Sequence, residues 1–383
     1  MELIDKYVWY QEGPGVRKNQ YTSSGVKLLN VANLVEEKID LSTSSRYISE
    51  DEANGRYSHF LVDEGDLIIA SSGIQVSYFE KKMGIAEKQH LPLCMNTSTI
   101  RFKVLDKNIM DIRYFMYFLK SNLFKNQIRR LITGSAQLNF GPSHLKKIKI
   151  EVPELKKQQE IVKKLDKVKK IINIRLNQII ELKELIKSQF VEMFGEPLIS
   201  NNYGRITLDK LIRVSQGLQI PIGKRKNEKG NNRYKYITIQ YLNGSKKEEY
   251  IENPNDRVIC SKDDVLMTRT GNTGQVITNV EGVFHNNFFK MDYDRKRINK
   301  EFLIKYFENE SIYKDIIRRA TTSTIPDLSH SQFYKMSIDL PPLPIQNQFS
   351  EIVKQIDKQK FEIEKSLKET QELYESLMEK YFG

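Results

Sequence analysis

Histidine and cysteine are the residue types best suited to catalysis and metal binding, and in this chain they are few and widely spaced. The chain has five histidines and two cysteines, at His59, His90, His144, His285, His330, Cys94 and Cys260. None of them has a neighbour at the spacing of a zinc site, and two distant cysteines exclude a disulfide framework. His144 and His330 follow serines, but a nucleophile with its base requires more than two adjacent residues. We therefore expect structural histidines and predict neither catalytic nor metal-binding residues.

The segment from Gly217 to Lys224 resembles a phosphate-binding loop but lacks essential features of that loop. Five residues separate its glycines where the motif has four, and Arg225 stands where a serine or threonine must bind magnesium. Pro221 also removes a backbone N–H that would face the phosphate. We interpret the segment as a basic surface loop.

Two further tests for catalytic chemistry also fail. Pro326 and Asp327 form the only Pro-Asp pair, and no Asp/Glu-x-Lys strand follows it, which disfavours a metal-dependent nuclease core. The sequence contains no Asn-Pro-Pro-aromatic or Asp-Pro-Pro-aromatic tetrapeptide, so the usual active site of an amino-methyltransferase is missing. A self-sufficient methyltransferase or nuclease is therefore a disfavoured hypothesis.

Basic and amide side chains instead cluster in loops. The formal net charge of +12 and the isoelectric point of about 9.3 suit a polyanionic partner. Arg, Lys, Asn and Gln side chains read base edges, and Lys and Arg also bind phosphates. For any single residue a solvated loop is the simpler interpretation, so only the joint pattern predicts DNA contact. The candidates are Arg17, Lys18, Gln20, Gln75, Lys81 and Lys82 in the first half and Gln216, Lys224, Arg225, Lys226, Arg233, Arg269 and Asn272 in the second.

These loops need a rigid support, and the pattern at residues 155–194 predicts one. Apolar residues recur there mostly at spacings of three or four, which predicts one amphipathic helix of 40 residues, about 60 Å long at the α-helical rise. Pro153 limits its upstream extension, Gly195 can adopt the positive φ of a helix end, and Pro197 prevents resumption. A helix longer than a small domain must lie alongside a partner.

The partner is a second long helix that ends the chain, because the sequence repeats itself. The positions that recur 188 residues later are Pro153, Leu155, Gln158 and Gly195, as Pro341, Leu343, Gln346 and Gly383. A repeat this long, with matching helix starts and ends, indicates a tandem duplication. The chain is therefore expected to alternate twice between a globular half and a long helix.

The facing apolar stripes of the two helices are expected to form a seam. Residues predicted for this seam are Ile161, Leu165, Val168, Ile172, Leu176 and Ile179 in the first helix and Phe349, Ile352, Ile356, Ile363 and Leu367 in the second. Phe190 and Tyr374, near the helix ends, have two open interpretations. They either contact other subunits or close the ends of the helix pair.

Each globular half mixes strand and helix patterns in the same order. Strands are predicted at 26–31, 66–70 and 99–104 with a helix at 111–131, and then at 236–239, 264–268 and 288–292 with a helix at 300–319. Residues 42–48 and 221–232 have no counterpart, so the halves share a frame and differ in their loops. We predict an α+β chain with domains at 1–152 and 196–340 and long helices at 153–195 and 341–383.

Several motifs of the two repeats are familiar from a known family. They are Pro153-x-Leu155-x-x-Gln158, Pro341-Pro342-Leu343-x-x-Gln346, the turns Gly134-Ser135 and Thr322-Ser323, the segment Gly13-Pro14-Gly15-Val16-Arg17, and the strand and loop at 264–271. On these motifs the whole chain resembles the specificity subunit of type I restriction–modification systems. The first half departs from the pattern, because its loop at 71–73 lacks an arginine, so a role for Arg269 does not transfer to it.

The resemblance implies two similar mixed α/β target recognition domains, separated by two long antiparallel coiled-coil helices and related by a pseudo-twofold internal repeat. It implies that each domain reads one half of a bipartite site in double-stranded DNA, with the helices fixing the spacing. The implied partners are two modification subunits, which bind S-adenosylmethionine and methylate adenine, and in some assemblies a restriction subunit that uses ATP. This chain would be noncatalytic and would bind no cofactor itself.

Two alternatives stay open from the residues alone. The chain could be a coiled-coil scaffold or adaptor whose basic loops serve solubility, or an orphan DNA-binding protein without restriction partners. Different loops on one repeated frame favour DNA recognition, because a scaffold has less reason to diversify its loops. The N-terminus is not a signal peptide and no apolar run could span a bilayer, so we expect a cytoplasmic protein with no membrane partner.

Overall fold

The computed structural model describes residues 1–43, 45–132, 137–320 and 325–383, without the side chains of residues 74–77 and 137–138. The Gly134-Ser135 and Thr322-Ser323 turns of the sequence motifs therefore lie outside the described residues. The α-helices are α1 (Glu50–Asn54), α2 (Ile112–Lys120), α3 (Asn122–Leu131), α4 (Pro142–Leu145), α5 (Leu155–Phe194), α6 (Ile239–Leu242), α7 (Lys300–Glu308), α8 (Glu310–Arg319), α9 (His330–Tyr334) and α10 (Leu343–Phe382).

The strands are short and fall in two series, one in each half of the chain. The first series is β1 (Glu2–Leu3), β2 (Val8–Glu12), β3 (Val26–Leu29), β4 (Leu34–Val35), β5 (Lys38–Ile39), β6 (Tyr47–Ile48), β7 (Leu67–Ala70), β8 (Ile74–Gln75), β9 (Met83–Ile85), β10 (Leu93–Met95), β11 (Thr99–Val104), β12 (Gln137–Leu138) and β13 (Lys149–Ile150). The second is β14 (Arg205–Thr207), β15 (Ile212–Gln216), β16 (Arg233–Ile237), β17 (Tyr250–Glu252), β18 (Ile259–Cys260), β19 (Val265–Thr268), β20 (Val276–Ile277), β21 (Gly282–Phe284), β22 (Phe288–Tyr293) and β23 (Ser337–Asp339).

The chain packs as two compact units. The first contains Met1–Arg175 with Ser366–Gly383, and the second contains Leu176–Lys365. Each unit therefore combines one globular half with a part of α5 and a part of α10. The domain boundaries predicted from sequence set the helices apart from the halves. The packing boundaries instead fall inside the helices, because the helix ends bury apolar side chains against the globular halves.

The same four-stranded sheet occurs in both units. Its strand order is β2-β11-β7-β9 in the first unit and β15-β22-β19-β20 in the second, and each pairing is antiparallel. The first strand of the sheet is displaced by 204 positions between the units (212 − 8) and its second by 189 (288 − 99). Loops of different length separate the strands, so the sequence offset of 188 holds only close to the long helices.

A second sheet in each unit differs between the two halves, with three strands in the first and four in the second. In the first unit its order is β10-β3-β6, and in the second it is β17-β16-β21-β18. One pairing in each is parallel, β10 with β3 and β16 with β21. The predicted strand at 236–239 ends earlier than expected, because Thr238 caps α6 through a hydrogen bond that its side chain accepts from Tyr241 N.

The helices predicted at 111–131 and 300–319 are each two helices. Ser121 separates α2 from α3, and Asn309 separates α7 from α8, both in an extended backbone conformation. The Ser121 hydroxyl accepts a hydrogen bond from Phe124 N, and the Asn309 side chain accepts one from Ser311 N. The prediction of a continuous helix is wrong in both halves, because a capping residue inside a periodic apolar pattern does not disturb that pattern.

A buried glutamine near the start of α5 fastens that helix to the first globular half. Gln158 has no exposed surface. Its Oε1 accepts a hydrogen bond from Asp111 N at 2.9 Å, and its Nε2 donates to Ile109 O at 2.8 Å and to Pro153 O at 2.7 Å. Asp111 is also the N-cap of α2, so one amide group holds the starts of two helices together.

The second half repeats this arrangement at the offset of 188. Gln346 is equally buried and accepts a hydrogen bond from Asn299 N at 2.8 Å. Its Nε2 donates to Arg297 O at 3.0 Å and to Pro341 O at 2.7 Å. Asn299 is the N-cap of α7. The glutamine of the Pro-x-Leu-x-x-Gln motif therefore has a structural role, which is to join the long helix to the helix pair of its half.

In the first unit, the start of α5 and the end of α10 pack together onto the core of the large sheet. Leu165 lies in this core with Phe382, whose ring centroid is 5.0 Å from that of Tyr114 in α2. Arg175 Nη1 donates a hydrogen bond across the helix pair to Ser366 O at 2.6 Å. An early part of α5 thus lies against a late part of α10, as expected for antiparallel helices.

In the second unit, an aromatic cluster joins the end of α5 to the start of α10. The rings of Phe190 and Phe194 each contact those of Phe302 and Phe349, with centroids 4.9 to 5.7 Å apart. Phe190 is only 3% exposed. Of the two interpretations left open for this residue, closure of the end of the helix pair is therefore the one that the structure supports. Tyr374 likewise packs against the core of the first unit.

The residues predicted for the seam between the helices are buried or partly buried, with one exception. The buried ones are Ile161, Leu165, Val168, Phe349 and Ile356, and the partly buried ones are Ile172, Ile179, Ile352, Ile363 and Leu367. Leu176 is the exception, because 42% of its surface is exposed. Arg175 faces the partner helix, and the next residue of an α-helix points about 100° away. None of the described helices combines the length and apolar character that a bilayer crossing requires.

Replacing Gln158 by leucine should lower the free energy of unfolding by about 3 kcal/mol or more. The change leaves one N–H and two carbonyl groups without their partner, at a cost of ~1–3 kcal/mol for each one that stays buried. Gln159→Leu is the matched control, because Gln159 is exposed on the same helix turn. Urea unfolding of the full chain measures both, and equal midpoints for the two variants would contradict the proposed role.

A charge placed in the buried seam should destabilise the chain strongly. Leu165→Asp puts a carboxylate at a site with no exposed surface, which should cost several kcal/mol, on the order of the ~4–5 that marks exceptional substitutions. Ile180→Asp is the control, because Ile180 lies on the same helix and is 58% exposed. Thermal unfolding should separate them, and a Leu165→Asp melting temperature equal to the parent's would refute the paired-helix packing.

Candidate nucleic-acid interface

The first predicted cluster is a short 3-10 turn at Lys18–Gln20. Gln20 closes the turn, since its Oε1 accepts a hydrogen bond from Arg17 N at 3.0 Å. Its Nε2 donates to Glu52 Oε1 at 2.9 Å and to the Tyr57 hydroxyl at 3.0 Å. Gln20 is therefore an anchor of the turn, whereas the side chains of Arg17 and Lys18 are exposed.

Two cations lie over aromatic rings on and beside the neighbouring small sheet, a feature that was not predicted from the sequence. The Lys27 Nζ lies 5.0 Å from the Tyr47 ring centroid, on paired positions of β3 and β6. The Arg46 guanidinium lies 5.5 Å from the ring centroid of Tyr21. Lys27 stands between the buried residues Val26 and Leu28 of β3, and this local alternation of apolar and polar residues was the available sequence signal. These side chains extend the basic surface beside Arg17.

The predicted cluster at 75–82 is only partly available for binding. Lys81 pairs with Glu36 at 2.9 Å, and both side chains are at least half exposed, so this ion pair is weak and replaceable. Lys82 Nζ donates to Val31 O at 3.4 Å. Gln75 lies in β8, which pairs with β12, and its side chain is outside the described part of the chain.

In the second unit, the basic loop from Gly217 to Lys226 separates an inward arginine from an outward lysine. Arg225 donates to Ile220 O through Nε at 2.9 Å and Nη2 at 2.6 Å, and it pairs with Glu249 at 3.1 Å. Its guanidinium also lies 5.0 Å from the Tyr236 ring centroid. Arg225 thus holds the loop, and Lys224 is exposed beside it.

Three further candidates of the second unit also have internal partners. Gln216 Nε2 donates to Asn286 O at 3.2 Å. Lys226 exchanges two backbone hydrogen bonds of 2.8 Å with Tyr250, which leaves its side chain free to point elsewhere. Arg233 Nε lies 3.1 Å from Glu252 Oε1. Lys226 makes its contact with Tyr250 through its backbone, whereas Gln216 and Arg233 use their polar side-chain groups.

Arg269 anchors a loop at the end of β19. Its Nη2 lies 2.7 Å from Asp327 Oδ2, and its guanidinium is 5.4 Å from the Phe289 ring centroid. The Thr270 hydroxyl donates to the same carboxylate, and Thr273 donates to Pro326 O at 2.7 Å. Arg269 therefore fixes the loop, and the exposed candidate within it is Asn272.

The first half fastens the equivalent loop without an arginine. Asn139 Oδ1 accepts hydrogen bonds from the Ser72 hydroxyl at 2.7 Å and from Gly73 N at 3.0 Å. Asn139 precedes Asp327 by the repeat offset of 188, so the same position anchors both loops. The amide and the carboxylate suit different neighbours. The loop of the first half is therefore held at this position without an arginine.

His285 and His330 each lie against an aromatic ring, and both cysteines are buried. Burial lowers the pKa of His285 and the charge of Arg225 lowers it further, so its Nδ1 can accept a hydrogen bond from Asn287 N at 3.1 Å. Burial, and then Arg269, lower the pKa of His330, whose ring lies 4.7 Å from Phe289. Burial raises the pKa of the Cys94 thiol to about 12 and that of Cys260 to about 11.

The structure also describes the two segments that were considered as catalytic motifs, the loop ending at Lys224 and the Pro326-Asp327 pair. The segment ending at Lys224 forms a 3-10 turn, and the next α-helix, α6, begins only at Ile239, so the loop does not lead directly into a helix as a phosphate-binding loop does. Asp327 is engaged with Arg269 and Thr270. Within residues 1–43, 45–132, 137–320 and 325–383, no three His, Cys, Asp or Glu side chains are arranged to hold a metal ion.

The chain is similar in sequence to a known protein family. The sequence model of the type I restriction modification DNA specificity domain matches residues 14–184 and 206–373, once for each repeat. The type I restriction enzyme MjaVIII specificity subunit of Methanocaldococcus jannaschii is 26% identical over 174 residues. That alignment covers 45% of this chain and 39% of the relative, so it spans less than half of either protein.

Two solved structures are similar over nearly the whole length. The type I restriction–modification S subunit from M. genitalium has a TM-score of 0.55 and 16% identity, and covers 100% of this chain and 95% of its own. A chain from a structure describing complex assembly and conformational transition of the type I R-M system has a TM-score of 0.61 and 15% identity, with coverage of 98% and 97%. These two likenesses show the shared fold. With both of its repeats matched by the family's sequence model, the chain belongs to the type I restriction modification DNA specificity domain family.

Proposed function

We propose that this chain is the noncatalytic DNA-specificity subunit of a type I restriction–modification complex. Each unit reads one half of a bipartite site in double-stranded DNA, and the two long helices set the distance between the halves. The observation that carries the proposal is the contrast between the units. Each unit has its own copy of the four-stranded sheet and a buried glutamine that joins its long helix to the globular half, yet the two units present different basic loops.

The conformation of the loops suits recognition of a DNA sequence. Buried or half-buried side chains hold each loop from inside, as Gln20, Arg225 and Arg269 do. Exposed side chains such as Lys18, Lys224 and Asn272 remain on the outside. Preformed loops lose little conformational freedom on binding, so their contacts with base edges and phosphates translate more fully into affinity.

The proposal assigns the chemistry to other subunits. Two modification subunits would bind S-adenosylmethionine and methylate adenine, and a restriction subunit would use ATP. This division is supported by the family membership and by the absence of a methyltransferase tetrapeptide in the sequence. Because the proposed target is genomic DNA, we also place the chain in the cytoplasm. A scaffold that used its loops only for solubility would not need them anchored by half-buried charged groups such as Arg225 and Arg269.

Exchanging residues 196–340 for those of a family member with another specificity should change one half of the recognised site. The second globular half lies within this segment, and the first contributes no residue to it. Genome-wide mapping of methylated adenines, in cells carrying the candidate modification subunit, measures the outcome. Cells without the gene are the control. A change in both half-sites, or no gene-dependent two-part motif at all, would contradict the proposal.

Removing an outward lysine should weaken DNA binding without altering stability. Lys224→Ala removes one phosphate contact, so the slope of log affinity against log salt should fall in magnitude by about 0.9. Fluorescence anisotropy at several salt concentrations measures the slope for the assembled complex. Lys368→Ala is the control, because that lysine is 79% exposed on α10 outside the loops. An unchanged slope for Lys224→Ala would remove this residue from the interface.

A further inference from the structure

An exposed isoleucine lies at the tip of the basic loop in the second unit. Ile222 has 76% of its surface exposed, and Leu218 in the same loop has 47%. The segment 217–233 is strongly basic, with one acid, Glu228, among Lys224, Arg225, Lys226, Lys229 and Arg233. A single exposed apolar residue is ordinary on a protein surface. What makes this one informative is how firmly the loop beneath it is held.

Close packing and hydrogen bonds hold the loop at both of its ends. A side chain at Gly217 would place a Cβ 2.2 Å from Phe284 O, so only glycine fits where the loop leaves β15. The Tyr236 hydroxyl accepts a hydrogen bond from Ile220 N at 3.0 Å and donates to Leu218 O at 2.8 Å. At the other end, Lys226 and Tyr250 exchange two backbone hydrogen bonds of 2.8 Å.

The tip itself is also fixed. The backbone carbonyl groups of Pro221 and Ile222 accept hydrogen bonds of 3.0 Å from Lys224 N and Arg225 N, respectively. The Arg225 guanidinium donates inward to Ile220 O, so it cannot leave the loop. Isoleucine adds a β-branched side chain with few χ1 rotamers. The loop therefore presents a stiff apolar group beside an exposed cation at little further entropic cost.

We infer that Ile222 is a specificity-determining residue that contacts the 5-methyl group of a thymine in the major groove. This inference rests on the proposed function of the second unit. The isoleucine side chain has neither donor nor acceptor, and the thymine methyl is the apolar group that a standard base pair offers in that groove. Lys224, two residues along, binds the adjacent phosphate and fixes the register. The first half has no counterpart of residues 221–232, so this contact belongs to one half-site only.

Replacing thymine by deoxyuridine removes only the methyl group, so it tests the contact directly. The two-part site is first identified by methylome mapping, and each thymine of the second half-site is then replaced in turn. The assembled complex should lose about threefold to fivefold in affinity at one of these positions, the worth of one buried methyl group. Ile222→Ala should bind the thymine and deoxyuridine sites equally, because the partner of the methyl is gone.

Two controls distinguish a contact with thymine from a loss of folding or of subunit assembly. Ile199→Ala removes an isoleucine of the same unit that is 84% exposed, and it should retain the full preference for thymine. The Ile222→Ala variant should keep the parent's melting temperature and its capture of modification subunits without DNA. Lost capture of those subunits would make Ile222 a protein contact and overturn the inference. A second half-site without thymine, or no effect of any replacement, would also overturn it, while sequence-specific binding would leave the proposed function standing.

Discussion

The fold depends on two buried amide groups, Gln158 and Gln346, which tie each long helix to the globular half before it. Each side chain satisfies one N–H and two carbonyl groups. The N–H and one carbonyl belong to the segment that starts the neighbouring helix, and the other carbonyl belongs to the proline that precedes the long helix. A buried amide that meets all three partners fixes direction as well as distance, because hydrogen bonds are directional and unmet groups are costly. Apolar packing alone would allow the long helix to slide or turn.

A similar division of labour governs the loops. Arg225 and Arg269 are of a residue type that often binds DNA. Their guanidinium groups instead donate hydrogen bonds to carbonyl and carboxylate groups of the protein itself. Neighbouring side chains such as Lys224 and Asn272 stay exposed. Anchoring by a planar guanidinium suits this role, because its several donors can hold a loop at more than one point. Function then lies with the residues that the anchors leave outside.

The contacts that each segment makes explain why the two units share a frame and differ in their loops. The large sheet, the paired helices and the glutamine joint are packed against one another, so a change in any of them disturbs several contacts. The loops contact mainly their own base, as Asn139 and Asp327 show by holding equivalent loops through different chemistry. Loops of this kind can change in length and sequence without unfolding the unit.

The sequence by itself determined the long helices, α5 and α10, and where they end. A helical apolar periodicity that continues for 40 residues between proline and glycine fits few structures other than one long helix. It also determined the duplication and the strands with clear alternation. The breaks at Ser121 and Asn309 come from local caps that the apolar pattern does not reveal. Tertiary structure decided the exposure of Leu176 and the inward turn of Arg225, which pairs with Glu249. Periodicity records which face of a helix is apolar, whereas only the folded chain decides which polar groups find buried partners and which remain for DNA.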